Sequence, residues 1–451
     1  MDLKDKNIVV VGLRRSGVAA AKFLASRGAV VTVTDSSDPE GFEAERKALE
    51  GFEVRYVLGS HNDEDFSGAD VVVVSPGVPL SIPPIRASLN AGVEVIGELE
   101  MASRFVEAPI IGVTGTNGKS TVTTLIGKML EESGKNVFVG GNIGNPLINL
   151  ASSDERVDYA VVELSSFQLE AIKNFHPHIG LMLNVTPDHL DRYPDMHAYA
   201  SAKARLWMNT TSDDWAVVNA GNVMAMDTLK GSSCKSLGFD TGSVPTVAPR
   251  AWAEGKTLTV ELDSRTETID ASNMKITGLH NLENAVASTA AALLAGATPD
   301  AIEKALSAFE GLAHRTQFVR EVGGVRYYDD SKGTNVGAVL KSLAGFDVPV
   351  VLIAGGLDKG GDFAPLGPMV AEKVKALVLI GKAAGKMKEA LGDLVPSHIE
   401  SDMERAVEKA AELAEIGEVV LLSPACASFD MFKDYVQRGE IFQESVRGLA
   451  G

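Results

Sequence analysis

Residues 109–121 read Pro-Ile-Ile-Gly-Val-Thr-Gly-Thr-Asn-Gly-Lys-Ser-Thr. An apolar run (Ile110, Ile111, Val113) meets a glycine-rich turn, and a helical pattern follows through Leu125, Met129 and Leu130. Strand, glycine loop and helix in that order make a phosphate cradle, because glycines let backbone N–H groups converge on an anion at a positive helix N-terminus. Gly115, Thr116, Asn117 and Gly118 would wrap the phosphates. Lys119 would reach the β- and γ-phosphates, with the Ser120 or Thr121 hydroxyl on Mg²⁺. The strict G-x-x-x-x-G-K-[ST] spacing asks for glycine at position 113, where Val113 stands; the nearest glycines are Gly112 and Gly115. A plain glycine turn capping a helix is the alternative, and the strand–loop–helix context favours a nucleoside triphosphate.

Upstream, Ile8 to Val11 leads into Gly12-Leu13-Arg14-Arg15-Ser16-Gly17, a helical pattern, and a second strand from Val30 closed by Asp35. This is a βαβ unit of Rossmann layout. Arg14 occupies the middle glycine position of G-x-G-x-x-G, which argues against a dinucleotide pyrophosphate. Val71 to Val74 is a further strand, ending in the turn Ser75-Pro76-Gly77, and ligands of parallel sheets bind at such carboxyl ends.

Downstream, Val137 to Val139 precedes Gly140-Gly141-Asn142, and the strand from Tyr159 ends at Glu163, where a carboxylate could hold Mg²⁺ beside a phosphate loop. Leu181 to Val185 reads as a buried strand before Thr186-Pro187-Asp188-His189-Leu190-Asp191-Arg192-Tyr193. Taken singly, Glu163 reads as an edge-of-sheet residue and Lys203, on the helix that follows, as a solvated lysine. Residues 250–275 alternate as antiparallel strands. His280, Asn281 and Asn284 open an Ala-rich helix on one face, as a base-reading site needs, although in isolation they read as a helix cap. Beyond residue 314, three strand-like runs (Val348 to Ala354, Ala376 to Ile380, Val419 to Ser423) form a further Rossmann-type sheet.

With 451 residues, two or three domains are expected. The boundaries fall at residues 1–100, 101–312 and 313–451: an α/β chain with a Rossmann-like N-terminal domain, a central P-loop ATPase-like domain and a Rossmann-like C-terminal domain. The net charge of −18 argues against nucleic-acid partners and acidic membrane surfaces. Cys234 and Cys426 are too few for a disulfide framework or a Cys-based zinc site. Neither a signal-peptide pattern nor a membrane-spanning run is visible, so a cytoplasmic protein is expected, and nothing suggests an obligate interface, so a monomer is expected.

Taken in order, the motifs at 112–121, 163–170, 184–193, 278–285, His314-Arg315, 330–335 and 423–430 make the chain resemble the Mur ligase family over its full length. The stretch Ser-Ser-Phe-Gln-Leu and the C-terminal serine motif favour the branch that adds D-glutamate, with a sister ligase or a folylpolyglutamate synthetase-like enzyme as alternatives. The resemblance implies ATP-driven ligation of D-glutamate to UDP-N-acetylmuramoyl-L-alanine with Mg²⁺. It assigns catalysis to Lys119, His189, Lys203 and Lys332, and metal binding to Ser120, Glu163, His189 and a carbamylated Lys203. Adenine falls to Asn281 and Asn284, and the phosphates and ribose to Arg315 and Asp330. The UDP sugar falls to Arg15, Ser16, Asp35, Gly77, Asn142 and Ser165, and D-glutamate to Thr334, Lys359, Ser428 and Tyr435. A nucleotide switch that hydrolyses ATP without ligating is the reading from another class.

Overall fold

The computed structural model describes residues 1–263 and 265–449, and among them the strands form sheets of five, nine and six. The first sheet is parallel throughout, in the spatial order Val54–Leu58, Val30–Asp35, Asn7–Val11, Val71–Val74, Glu94–Gly97. Strand order reverses between Asn7–Val11 and Val71–Val74, so the loops carrying Arg15, Ser16 and Gly77 flank the crevice where doubly wound sheets take ligands. A side chain at Gly17 would lie 1.9 Å from the Gly12 carbonyl, so only glycine fits where the first helix meets this turn.

In the second sheet, Ile110–Thr114 sits between Tyr159–Glu163 and Ile179–Met182, all parallel. Central strands covered on both faces read as apolar runs, as these do. The helix Lys119–Glu132 buries Val122, Leu125, Ile126, Met129 and Leu130 against Leu279–Leu294 and the sheet. Each such side chain contributes about 1.5–3 kcal/mol of transfer free energy, which anchors the loop ahead of it. Arg250–Glu254, Thr257–Leu262 and Arg265–Asp270 extend this sheet as antiparallel neighbours, with Leu258 and Val260 inward. Arg250–Glu254 pairs in parallel with Lys235–Asp240, a strand not anticipated from the alternation.

The strand expected over Leu181 to Val185 instead spans Ile179–Met182. From Asn184 the backbone serves the phosphate loop instead of a neighbouring strand. The Asn184 carbonyl accepts from Thr116 N–H, and its side chain both accepts from and donates to the Asn117 backbone, at 2.9 and 3.1 Å.

The third sheet runs Gln317–Val322, Val325–Asp329, Val419–Leu422, Val350–Gly355, Val374–Ile380, Ser397–Ile399. It is parallel except for the edge strand Gln317–Val322, which pairs antiparallel with Val325–Asp329. Polar residues interrupt both strands of this hairpin, which hid them from the apolar-run criterion. The first and second sheets share one continuous core, reaching from Ile8 and Phe23 to Leu164 and Tyr199.

Candidate active site

The loop at 115–118 is shaped by its glycines. Gly115 and Gly118 have φ of 151° and 88°, and a Cβ at Gly118 would stand 2.4 Å from Asn284 Oδ1. The Lys119 ammonium donates to the carbonyls of Gly115 and Thr116 at 2.9 and 2.7 Å. The Gly115 carbonyl also accepts from Lys203 at 2.8 Å. Lys203 is only 1% exposed, contrary to its solvated reading, because its helix Met196–Ala204 turns this side chain inward under the loop. Burial drives the pKa of both lysines down, that of Lys203 well below the lysine range, and each is lowered by a neighbouring cation.

Glu163 ends its strand as expected, and it is buried there. One oxygen accepts from Asn142 Nδ2 at 2.7 Å; the other, Oε2, is buried without a partner. An orphaned carboxylate oxygen beside a phosphate loop fits a cation, since a buried unpaired acceptor costs free energy. Among the described residues no three His, Cys, Asp or Glu side chains converge for a metal. Mg²⁺ takes one or two carboxylates and completes its shell with phosphate oxygens and water. His189 adopts φ of 57° and packs edge-on against Phe167. Burial, with Lys359 and Lys119 adding to it against Asp188, pulls its pKa to about 4 and leaves a neutral imidazole able to act as a ligand.

The third sheet delivers its loops to the same place. Arg315 donates to Ser120 Oγ at 3.0 Å. Lys359 reaches Asp188 at 3.2 Å, and Asn335 donates to Asp188 at 3.0 Å and contacts Asn117. Burial pushes Asp188 upward, but Lys359, His189 and Asn335 outweigh it and hold the carboxyl below its usual range. Asp188 and Asn335 carry no role in the sequence reading. Their signal was weak, since an acid in a His-rich loop and an Asn capping the helix Val336–Leu343 are both common.

An open pocket is lined by Gly118, His280, Asn281, Asn284, Arg315 and Lys332. Asn281 and Asn284 are not the helix cap, which is Gly278; they bond each other at 3.3 Å. His280, expected on the same base-reading face, lines this pocket with them and is held near pKa 4 by burial and by Lys341 and Arg315. Lys332 lies 3.6 Å from the centre of the Tyr435 ring, and burial, with Arg315 nearby, brings it to about 7. Asp330 accepts from Ser342 and Ser423, both at 2.7 Å, and burial raises it to about 6.

Other expected residues lie apart or serve the fold. Arg15 lines a separate groove with Asn145, Pro146 and Asn149. The two Asp35 oxygens accept from Leu13 and Ser37 N–H at 2.9 Å each, fixing the first glycine turn. Ser16 is half-buried and Gly77 is exposed. Ser165 caps the helix Ser166–Glu170 in a reciprocal arrangement with Gln168. Thr334 donates its backbone N–H to Lys332, Ser428 is buried, and Tyr435 opens the last helix.

Comparisons with known proteins agree along the chain. Three family profiles match: Mur ligase MurD-like, N-terminal domain at residues 6–97, Mur ligase middle domain at 113–292, and Mur ligase, glutamate ligase domain at 314–426. The chain is 48% identical over 449 residues to a UDP-N-acetylmuramoylalanine–D-glutamate ligase of Geobacter metallireducens, covering 100% of this chain and 99% of that one. It is 47% identical to the protein of the same name from Geotalea daltonii, with the same coverage. Among solved structures, the UDP-N-acetylmuramate-alanine ligase of Thermotoga maritima superposes with a TM-score of 0.60 at 19% identity, over 98% of this chain and 99% of that one. At that identity the likeness speaks for the fold.

Proposed function

The chain belongs to the Mur ligase family, and we propose that it joins D-glutamate to UDP-N-acetylmuramoyl-L-alanine at the expense of ATP, in peptidoglycan precursor synthesis. We further assign it to the cytoplasm, as a monomer that uses Mg²⁺. No helix among the described residues is long and apolar enough to cross a membrane.

The observation that carries this reading is the meeting at one phosphate loop of Lys119 and Lys203 from the central unit with Arg315 from the third. In the first step the L-alanyl carboxylate oxygen attacks the γ-phosphorus and the bond to ADP breaks, leaving an acyl phosphate. The D-glutamate amine then attacks the acyl carbon, loses a proton, and phosphate departs. The first step brings two anions together, and unit charges about 4 Å apart repel by roughly 4 kcal/mol at an effective dielectric near 20. Lys119 and Arg315 oppose that repulsion along the phosphates, and Asn281 and Asn284 face the base. Mg²⁺, held by Ser120, Glu163 and His189, supplies further charge neutralisation when bound. Burial favours the neutral form of the Lys203 amine, the form whose nitrogen attacks CO₂ and releases a proton to give a carbamate, which supports its carbamylation.

Arg15, Ser16 and Gly77 at the switch point of the first sheet take the UDP sugar in this reading, with Asp35 shaping the turn and Asn142 and Ser165 next to Glu163. Thr334, Lys359, Ser428 and Tyr435 surround the incoming amino acid, and Lys332 beside Tyr435 provides a cation for its carboxylates or for the departing phosphate. The test is ADP release with the UDP sugar and each candidate amino acid, followed by mass analysis of the product.

A further inference from the structure

Arg315 stands between two residues in left-handed backbone conformations, His314 at φ 61° and Thr316 at φ 45°. Neither is glycine, and a β-branched threonine there is a rare choice. Such conformations persist only where surrounding contacts over-determine them. Thr316 N–H donates to Asp330 Oδ1 at 3.2 Å, and His314 N–H donates to Gln317 Oε1 at 3.0 Å. The His314 carbonyl accepts from Lys332 N–H at 3.0 Å.

The imidazole has its own partner. His314 Nδ1 lies 2.7 Å from Asp329 Oδ2, and that oxygen also accepts from Gln443 Nε2 at 2.8 Å. The other Asp329 oxygen accepts from Ser331 N–H at 2.8 Å. Asp329 has no exposed surface. The last helix, Tyr435–Gly448, presses the arrangement shut, since a Cβ at Gly439 would fall 2.1 Å from His314 Nδ1. A glycine inside a helix costs about 1 kcal/mol relative to alanine, and its place here answers to that close approach.

We propose that Asp329, oriented by Gln443, is a positioning residue that holds His314 in its left-handed turn and so sets the Arg315 guanidinium against Ser120 in the nucleotide site. The inference rests on the reading that ATP binds there and adds how the third unit delivers its cation to the phosphates. Asp329 acts through His314 and Arg315 and touches no substrate.

The test is the affinity of the full chain for AMP-PNP by calorimetry, with KM values for ATP and the UDP sugar alongside. Asp329→Ala should weaken AMP-PNP and raise the KM for ATP about tenfold, while the KM for the UDP sugar stays within about twofold. Asp329→Asn, which keeps a polar partner for His314 and an acceptor for Ser331 N–H, should recover most of the loss. Val407→Ala, a core truncation in the same unit away from the turn, should lower the melting temperature without this split. Gln443→Ala tolerates its helical position and should shift ATP in the same direction by less, so it carries the test if Asp329→Ala does not fold. Equal losses for ATP and the UDP sugar, a profile matching Val407→Ala, or unchanged AMP-PNP binding in both Asp329→Ala and Gln443→Ala would overturn the proposal. A wild type that binds AMP-PNP yet forms no product would cost the ligase reading and leave the positioning comparison intact.

Discussion

Lys119 and Lys203 donate to the same atom, the carbonyl oxygen of Gly115, at 2.9 and 2.8 Å. Burial lowers both amines, and with the Lys119 charge close by it lowers Lys203 the further. In the proposed reading the pair divides its roles: Lys119 serves the phosphates as a cation, and Lys203 is available for carbamylation. Lys203→Arg places a fixed cation there and cannot form the carbamate, so it should lose about 10²-fold or more in turnover. Protein equilibrated with ¹³CO₂ should show a carbamate resonance that is missing from this variant. A wild type without the resonance, or an active Lys203→Arg, would remove the modification from the account.

The unpartnered Glu163 Oε2 predicts a metal dependence written into one side chain. Glu163→Gln preserves the shape and the contact with Asn142 while withdrawing charge. The Mg²⁺ concentration for half-maximal turnover should rise at least about tenfold, and chelation should silence the wild type. An unaltered Mg²⁺ titration in the variant would place the cation elsewhere.

Lys332 offers a prediction about stability and pH. Its folded value, near 7, lies below the ordinary 10.5, so between the two the folded chain holds fewer protons there than the unfolded chain. Stability from this group is thus present above pH 10.5 and lost as pH falls through about 7. Lys332→Met removes a buried charge, so the variant should melt above the wild type, by most at pH 6 and by progressively less toward pH 10. A difference in melting temperature that is flat across that range would show that the amine is not held against its charge.

Much of this was legible because it rests on local chemistry. Gly115 and Gly118 with Lys119, and the strand ending at Glu163, are short-range patterns that the fold leaves where the chain puts them. Lys203 was misjudged in isolation because a polar helix face gives no sign of the loop that covers it. Asp188 and Asn335 went unassigned because their meaning lies in a meeting, with Lys359 and Asn117 respectively, of segments more than 140 positions apart. The left-handed turn around Arg315 was equally hidden, since neither His314 nor Thr316 has the composition of such a turn. Leu183 to Val185 looked like strand because apolar residues continue there, yet the Asn184 side chain binds the phosphate loop and takes the backbone out of the sheet.

The central claim is tested most directly by ADP release with UDP-N-acetylmuramoyl-L-alanine and Mg²⁺, comparing D-glutamate, L-glutamate and no amino acid, in wild type and Lys119→Ala. The account predicts release that requires both the UDP sugar and D-glutamate, with the ligated product seen by mass. In Lys119→Ala, turnover should fall about 10²–10³-fold while affinity for the UDP sugar stays within about twofold. Release with another amino acid would move the chain to a sister activity. Release independent of UDP sugar and amino acid, or equal loss of turnover and UDP-sugar affinity in the variant, would contradict it.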